Sequence, residues 1–299
     1  MFSPKPSNFE TKHLIIIVML IQTFYPQNPL LKNHIEYYYF LKTDSPCFNT
    51  TYYSFPNTLH SFNIHKYADC EIKPNFTHLY ESKKNKYFTV VQGYYELPLL
   101  VNLSGRLDKV TILFKPLGLN HFINKPFNEV VGKPSRIFTE WDNSEYFTFL
   151  DAFYKTDDNK KRVLLLETFL QTIYKPLEKE NLFQKALNQL TDFENDRSIQ
   201  EIARNLSFNI RTFNRLFYKY FGISPGAFKK IARFRHSMKN KLFGNQFKTL
   251  TEIGYESNFY DQSYFIKMYK NLTGKNPSKF FKSVERLADD RLIFQFISK

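Results

Sequence analysis

Two kinds of hydrophobic spacing divide this chain. From about Leu14 to Phe114, apolar residues come in short runs. Among them are IEYYYFLK (35–42), TTYYSF (50–55), YFTVVQGYY (87–95), PLLVNL (98–103) and KVTILFK (109–115). They are rich in β-branched and aromatic residues and broken by Pro, Asn, Asp and Gly, which predicts strands joined by turns. In strands, alternate residues of Tyr37-Tyr38-Tyr39-Phe40 and Tyr52-Tyr53-Ser54-Phe55 face inward, as ordinary core or as the lining of an effector pocket. LGLNHFI (117–123) predicts a short helix. From Ser144 the period lengthens. SEYFTFLDAFYK and NKKRVLLLETFLQTIY place apolar residues at i, i+3, i+4 and i+7, the spacing of amphipathic helices. Pro176 closes the second helix, and another is predicted over about Asn181 to Leu190.

The run LIIIVMLI (14–21) is too short to span a bilayer, which takes about 20 apolar residues. Lys12 and His13 precede it, but QTFYPQNP after it has no small-residue cleavage site. It reads as a buried β-strand. Met19, inside the run, is an alternative initiator.

The last third repeats itself. SIQEIARNLSFNIRTFNRLFYKYFGISPGAF (198–228) and TLTEIGYESNFYDQSYFIKMYKNLTGKNPSKFF (249–281) align about 51 residues apart. Glu201-Ile202 meets Glu252-Ile253, and Phe208 meets Phe259. After a one-residue gain, Phe213, Phe217, Gly222, Pro225 and Phe228 meet Phe265, Tyr269, Gly274, Pro277 and Phe280. Each copy has the grammar of a helix-turn-helix. Ile202, Ala203 and Leu206 form the inner face of the first helix. Asn209 caps the second, with Phe213, Leu216 and Phe217 inward and Gly222 at a left-handed end. In the second copy Ile253, Phe259, Phe265, Met268 and Tyr269 are core, Asp261 is the cap and Gly274 the stop. Asp261 and Ser263 also admit an acid–nucleophile reading, but the capping Asp is favoured because no histidine lies close in sequence to complete a triad. GAFKKIARFRHSMKNKLF between the copies predicts one helix from Ala227 to about Leu242, roughly 24 Å long.

Charge changes the picture. Arg197 to Lys282 holds 17 Lys and Arg against 4 Asp and Glu, so this segment carries +13 of the chain's +14. A basic surface that coincides with a repeated helix-turn-helix is the footprint of a phosphate-binding face. The aromatic bias, 33 Phe and 20 Tyr against one Trp, also follows from AT-rich coding, so single aromatics are not read as ligand contacts. Cys47 and Cys70 fit no zinc spacing. They read as free thiols of a reducing cytosol, with a disulfide between them left open.

The second copy resembles the AraC/XylS family of bacterial transcription regulators through Phe259, Asp261-Gln262-Ser263-Tyr264-Phe265, Tyr269-Lys270, Gly274, Pro277 and Phe280. The chain departs from the family at Gly254, where Ala is usual, and at Asn258, where Gly is usual. Asn tolerates a left-handed turn, and Gly254 weakens its helix by roughly 1 kcal/mol relative to Ala. Arg233-Phe234 is similar to the family's Arg-Leu in the linker. The resemblance covers about Leu182 to Lys282. More distantly, QTFYP, IEYYYFLKTDSP and ILFKPLGLNHFIN resemble the N-terminal domains of one regulator subgroup, with Leu117-Gly118 where a Gly usually follows the Pro. The resemblance implies a sequence-specific regulator in the bacterial cytoplasm, associated with the nucleoid through DNA. Its N-terminal domain would sense a small-molecule effector or mediate homodimerisation, and RNA polymerase is a candidate partner.

The expected fold is therefore α+β and multidomain. Residues 1–175 form a β-rich, barrel- or sandwich-like domain with trailing helices. Residues 180–285 form an all-α domain of two helix-turn-helix modules joined by a linker helix, and residues 286–299 a C-terminal tail. Base reading falls to Arg211, Asn214 and Arg215 in the first recognition helix and Gln262, Ser263, Ile266 and Lys267 in the second. Arg pairs with guanine, Asn and Gln with adenine, and Ile meets a thymine methyl. Arg215 and Gln262 are the leading candidates. Phosphate contacts fall to Lys219, Arg233 and Lys270 and to helix N-termini. Lys229, Lys230, Arg235, Lys239 and Lys241 are weaker candidates, since a linker helix always has a solvent face. Two helices about one DNA turn apart, ~34 Å, would read a non-palindromic site.

No catalytic set, metal site, cofactor motif or membrane segment is expected. A cupin-type enzyme would need a His-x-His pair, and His60 with His65 is the nearest approach. An architectural DNA-binding protein shares the charge but does not need base-reading residues at matched positions of two helices. A binder of acidic protein does not need a duplicated recognition helix.

Overall fold

The computed structural model describes residues 19–131, 134–243, 249–257, 259, 261–287 and 292–297. Its N-terminal half runs β1 (Met19–Phe24), α1 (Pro29–His34), β2 (Ile35–Thr43), β3 (Asn49–Ser54), β4 (His60–Lys66), β5 (Ala68–Lys73), β6 (Phe76–Glu81), β7 (Tyr87–Gln92), β8 (Leu99–Ser104) and β9 (Leu107–Phe114). A 3-10 turn (Gly118–Phe122), α2 (Phe127–Val130), β10 (Arg136–Ile137), α3 (Ser144–Lys155) and α4 (Asn159–Ile173) follow. The second half is helical: α5 (Glu180–Thr191), α6 (Ile199–Asn205), α7 (Ile210–Phe221), α8 (Pro225–Phe243), α9 (Leu250–Glu256), α10 (Gln262–Thr273) and α11 (Pro277–Ser283). The chain then returns to strand in β11 (Glu285–Leu287) and β12 (Leu292–Phe296). Among the described residues no helix is long and apolar enough to cross a membrane.

The strands form two six-stranded sheets, β1-β2-β9-β4-β7-β10 and β11-β12-β3-β8-β6-β5. All pairings are antiparallel except β6 with β8. The period of two in β2 sorts its side chains. Tyr37, Tyr39 and Leu41 enter the core between the sheets, with Tyr52, Leu79 and Val101 from the facing sheet. Tyr38 and Phe40 enter the opposite core, beneath α3 and α4, where Phe40 stacks on Phe153 at 6.1 Å. Both faces of β2 are covered, so its run is nearly continuous in apolar residues.

Three expectations change. The run LIIIVMLI is described only from Met19. There β1 is a half-exposed edge strand rather than a buried one, because only β2 pairs with it. The short helix at 117–123 is a 3-10 turn whose entry, Leu117, has φ of 70°. A left-handed Leu costs roughly 1–2 kcal/mol. Leu117 is buried among Phe183 and Leu187 of the helical half, and burying a Leu yields roughly 1.5–3 kcal/mol, enough to offset that strain. The next residue must be glycine, since a Cβ on Gly118 would lie 2.1 Å from the His34 carbonyl oxygen.

The third change is at the C-terminus. In place of a tail, β12 pairs with β3, Phe294 opposite Ser54 and Phe296 opposite Tyr52. Phe294 packs on Tyr52 with ring centroids 4.3 Å apart, and Leu292 and Phe294 complete the core between the sheets. The end of the helical half is thus a strand of the N-terminal half. We expect Phe294→Ala to lower stability by about 3 kcal/mol in urea unfolding. A change below about 0.5 kcal/mol would mean that β12 is not docked in solution.

Candidate nucleic-acid interface

Local chemistry builds the two helix-turn-helix units alike. Ser198 Oγ accepts from Glu201 N at 3.2 Å while Glu201 Oε2 accepts from Ser198 N at 2.7 Å, a reciprocal capping box on α6. Thr249 and Glu252 repeat it on α9 at 3.2 and 2.6 Å. Asn209 Oδ1 accepts from Thr212 N at 2.8 Å and Asp261 Oδ1 from Tyr264 N at 2.6 Å, which starts α7 and α10. Gly222 and Gly274 end them with φ of 69° and 72°. Ser207 makes the first turn with φ of 62°. Its counterpart Asn258 lies outside the described residues. A Cβ on Gly254 would stand 3.9 Å from the Phe265 ring, an ordinary contact, so the space there admits the family's alanine.

The inner faces are dry. Phe213, Phe217 and Phe221 of α7 join Ile202, Ala203, Phe228 and Ile231, with Leu206 and Leu216 half-buried beside them. Phe265, Met268 and Tyr269 of α10 join Phe259, Phe234 and Met238. With those faces turned inward, Arg211, Asn214, Arg215 and Lys219 on α7, and Gln262, Ser263, Ile266, Lys267 and Lys270 on α10, are all exposed. The Gln262 amide lies 3.4 Å from Thr251 Oγ1, which aims it along the helix start. Exposed apolar groups accompany them: Ile210 and Tyr218 on α7, Tyr264 beside Ile266 on α10. Tyr218 and Tyr264 flank the buried faces, about a quarter turn from Phe217 and Phe265, while Ile210 lies on the Phe213/Phe217 side and is exposed at the start of α7.

The linker basic residues depart from expectation. Arg233, read from sequence as a phosphate contact, is 7 % exposed. Its guanidinium pairs with Asp196 Oδ2 at 2.5 Å and lies over the rings of Phe193 and Phe259, at 5.3 and 5.9 Å. The pair joins the loop before α6 to α8. Lys229 pairs with Asp196 Oδ1 at 2.5 Å, Lys230 pairs with Glu96, and Arg235 donates to the carbonyls of Pro56 and Phe55 at 2.6 and 2.7 Å. Lys239 is exposed and Lys241 half-buried.

Burial opposes ionisation of Asp196, but the hydrogen bonds and charges of Lys229 and Arg233 outweigh it and hold the carboxyl below its usual range. A depressed carboxylate pKa adds stability above its unfolded value of about 3.9 and loses it as pH falls through the folded value. His60 and His65 do not converge as ligands. His60 is enclosed by Tyr94 and Phe127, and burial presses it down to about 3. His65 lies flat on Phe88 at 4.7 Å. Cys47 and Cys70 are both free.

A family model described as a helix-turn-helix domain matches residues 202–283. The HTH-type transcriptional regulator ExsA of Pseudomonas aeruginosa is 27 % identical over 116 residues. The alignment spans 39 % of this chain and 39 % of ExsA, so the chain matches less than half the length of that relative. Among solved structures, ToxT of Vibrio cholerae aligns with 89 % of this chain and 98 % of its own, at 10 % identity and a TM-score of 0.45. A second ToxT structure, with unsaturated fatty acid bound, covers 88 % and 94 % at 13 % identity and a TM-score of 0.43.

Two substitutions separate ion pair from phosphate contact. Arg233→Ala leaves Asp196 half-paired and is expected to cost about 3 kcal/mol of stability in urea unfolding. Lys219→Ala is expected to leave stability unchanged and to reduce the slope of log binding constant against log salt by about 1 on any duplex. An Arg233→Ala protein of unchanged stability with a reduced salt slope would return Arg233 to the phosphate-binding set.

Proposed function

We propose that this chain, whose C-terminal third is an AraC-type helix-turn-helix domain, is a transcription regulator that reads DNA sequence with α7 and α10 in neighbouring major grooves. One observation carries the reading. Both helices bury an aromatic inner face and expose, on the opposite side, polar and cationic groups able to bond base edges. A phosphate-only binder needs the cations but not Asn214, Gln262 and Ser263 beside them.

In this reading Arg211 and Arg215 bond guanine O6 and N7, Asn214 and Gln262 pair with adenine, and Ile266 and Tyr264 meet thymine methyls. Lys219 and Lys270, near the helix C-termini, hold phosphates, and Ser263 and Lys267 complete the second reading face. Two unlike reading faces on one chain favour a non-palindromic site. Arg215→Ala is expected to cost roughly 1–3 kcal/mol on a selected site and to relax preference at one base pair. Competition binding against the four single-base variants reads this. Equal weakening on all four would make Arg215 a phosphate contact.

We infer that the N-terminal half modulates this binding through the space between its sheets. A cavity of about 60 Å³ lies there, lined by Tyr37, Tyr39, Tyr52, Asn63, Lys109 and Arg235 among others. Lys109 is 2 % exposed and reaches the Tyr39 hydroxyl at 3.4 Å. Two cations and no carboxylate line the space, which suits an anionic group. Sites for drug-sized ligands run to about 300 Å³ or more, so an effector of that size must widen this space. A thermal-shift screen of small carboxylates and phosphates is expected to yield a stabilising ligand that Lys109→Met no longer binds. Equal stabilisation of both proteins would place the ligand elsewhere.

A further inference from the structure

Where the N-terminal half meets the first helix of the DNA-binding half, three ligand-type side chains converge. His34 ends α1, His121 lies in the 3-10 turn, and Glu180 begins α5. Glu180 Oε1 stands 3.4 Å from His121 Nε2 and 3.9 Å from His34 Nδ1. One donor atom from each of the three lies within 4.8 Å of the others. Ligands bound to zinc at ~2.0–2.2 Å in a tetrahedron stand roughly 3.4 Å apart. One pair is therefore at coordination spacing, and the remaining separations, up to 4.8 Å, would have to close through the accessible Glu180 side chain.

The imidazoles are set up for this. His121 Nδ1 faces the Lys175 carbonyl at 2.9 Å. A carbonyl only accepts, so Nδ1 carries a proton, and in the neutral ring Nε2 is then left as the metal-facing nitrogen, the arrangement of a metal-binding histidine with its second nitrogen anchored. His121 is fully buried, and its Nε2 has no hydrogen-bond partner. A carboxylate oxygen facing Nε2 at 3.4 Å is favourable only with a proton or a metal ion between them. The Tyr174 ring stacks on His121 at 5.2 Å and covers His34 at 5.5 Å.

Backbone geometry holds the pair in place. The close approach of Gly118 to the His34 carbonyl oxygen locks the turn against the end of α1, and the two imidazole centroids sit 3.9 Å apart. Glu180 is the accessible member, its side chain 39 % exposed. It borders a surface groove with Asn33, Glu36, Lys115 and Gln184, so this ligand can be reached from solvent. The nearby Lys115 ammonium is engaged by Glu36 at 3.7 Å and the Lys32 carbonyl at 2.8 Å.

We propose that His34, His121 and Glu180 bind one divalent transition-metal ion of the zinc type, with water as fourth ligand, and that the ion fastens α5 to the N-terminal half. Two imidazoles with one carboxylate suit zinc, cobalt or nickel and disfavour calcium and magnesium, which take oxygen ligands. The site acts on the joint between sensing and reading halves, not on DNA, so it stands or falls separately from the regulator reading.

The test uses chelator-stripped full-length protein. Calorimetry with Zn²⁺ is expected to show one equivalent bound and a raised melting temperature. Co²⁺ is expected to give the strong visible absorption of a four-coordinate site. Glu180→Gln, at an accessible side chain, keeps the fold by circular dichroism and weakens Zn²⁺ binding at least about tenfold. His121→Asn abolishes the cobalt spectrum, while His78→Asn, a histidine remote from the trio, leaves binding unchanged. Absence of stoichiometric binding, or binding equally tight in Glu180→Gln and His121→Asn, would overturn the proposal and leave the trio a plain imidazole–carboxylate contact.

Discussion

One helix is shared by three bodies, and the rest of the structure depends on that sharing. α8 has 19 residues, roughly 28 Å at ~1.5 Å per residue. Phe228, Ile231 and Ala232 on it complete the core of the first helix-turn-helix, and Phe234 and Met238 complete that of the second. Arg235 and Lys230 tie it to the N-terminal half through Phe55, Pro56 and Glu96. Asp196 closes the arrangement by gripping Lys229 and Arg233 one turn apart on the same helix. Neither reading unit can turn about α8 without opening a packed core or a buried ion pair, and both cost several kcal/mol. The distance and angle between the two reading faces are therefore built in.

The N-terminal half grips both units as well. Leu117 is buried in the first, the Asn120 amide donates to the Tyr220 carbonyl at 3.0 Å, and Phe127 packs against the glycine that ends α7. Phe55 meets Phe280 of the second unit edge-on at 4.9 Å, and β12, after α11, joins the second sheet beside β3. Leu292, Ile293 and Phe294 of that strand line the same cavity as Lys109 and Arg235. A ligand that widens this space therefore touches β12, the strand the chain reaches after α11. It can shift the equilibrium only by the difference in its affinity for the two arrangements.

What the sequence disclosed is what local chemistry decides. Asn209, Asp261, Gly222 and Gly274 cap or stop helices through contacts within a few residues, so the duplicated unit could be read directly. The periods of α3, α4 and α8 are as local. Pairing across long separations was not legible. β12 meets β3 some 240 residues away, and a short, mostly apolar run near the end of the chain looks the same whether it is docked or free. β4 was passed over because His60, Asn63 and His65 interrupt its alternation. Their polar groups are nonetheless buried, Asn63 bonding the Val90 carbonyl and the Thr111 hydroxyl. Arg233 misled for a related reason. A basic residue on a linker helix carries no local mark of the carboxylate it meets, and Asp196 lies 37 positions earlier. The His34, His121 and Glu180 trio comes from three separate segments and shows no ligand spacing at all.

The most direct test of a fixed two-unit reader is the footprint it selects. Purified full-length protein is incubated with fragmented genomic DNA and the retained fragments are sequenced. The account predicts a motif of two unlike blocks whose centres stand about 10 base pairs apart, at one invariant spacing, because α8 holds the two reading helices rigidly. Two blocks at variable spacing would contradict the rigid linker. Retention with no motif, falling uniformly and steeply with salt, would contradict sequence reading altogether.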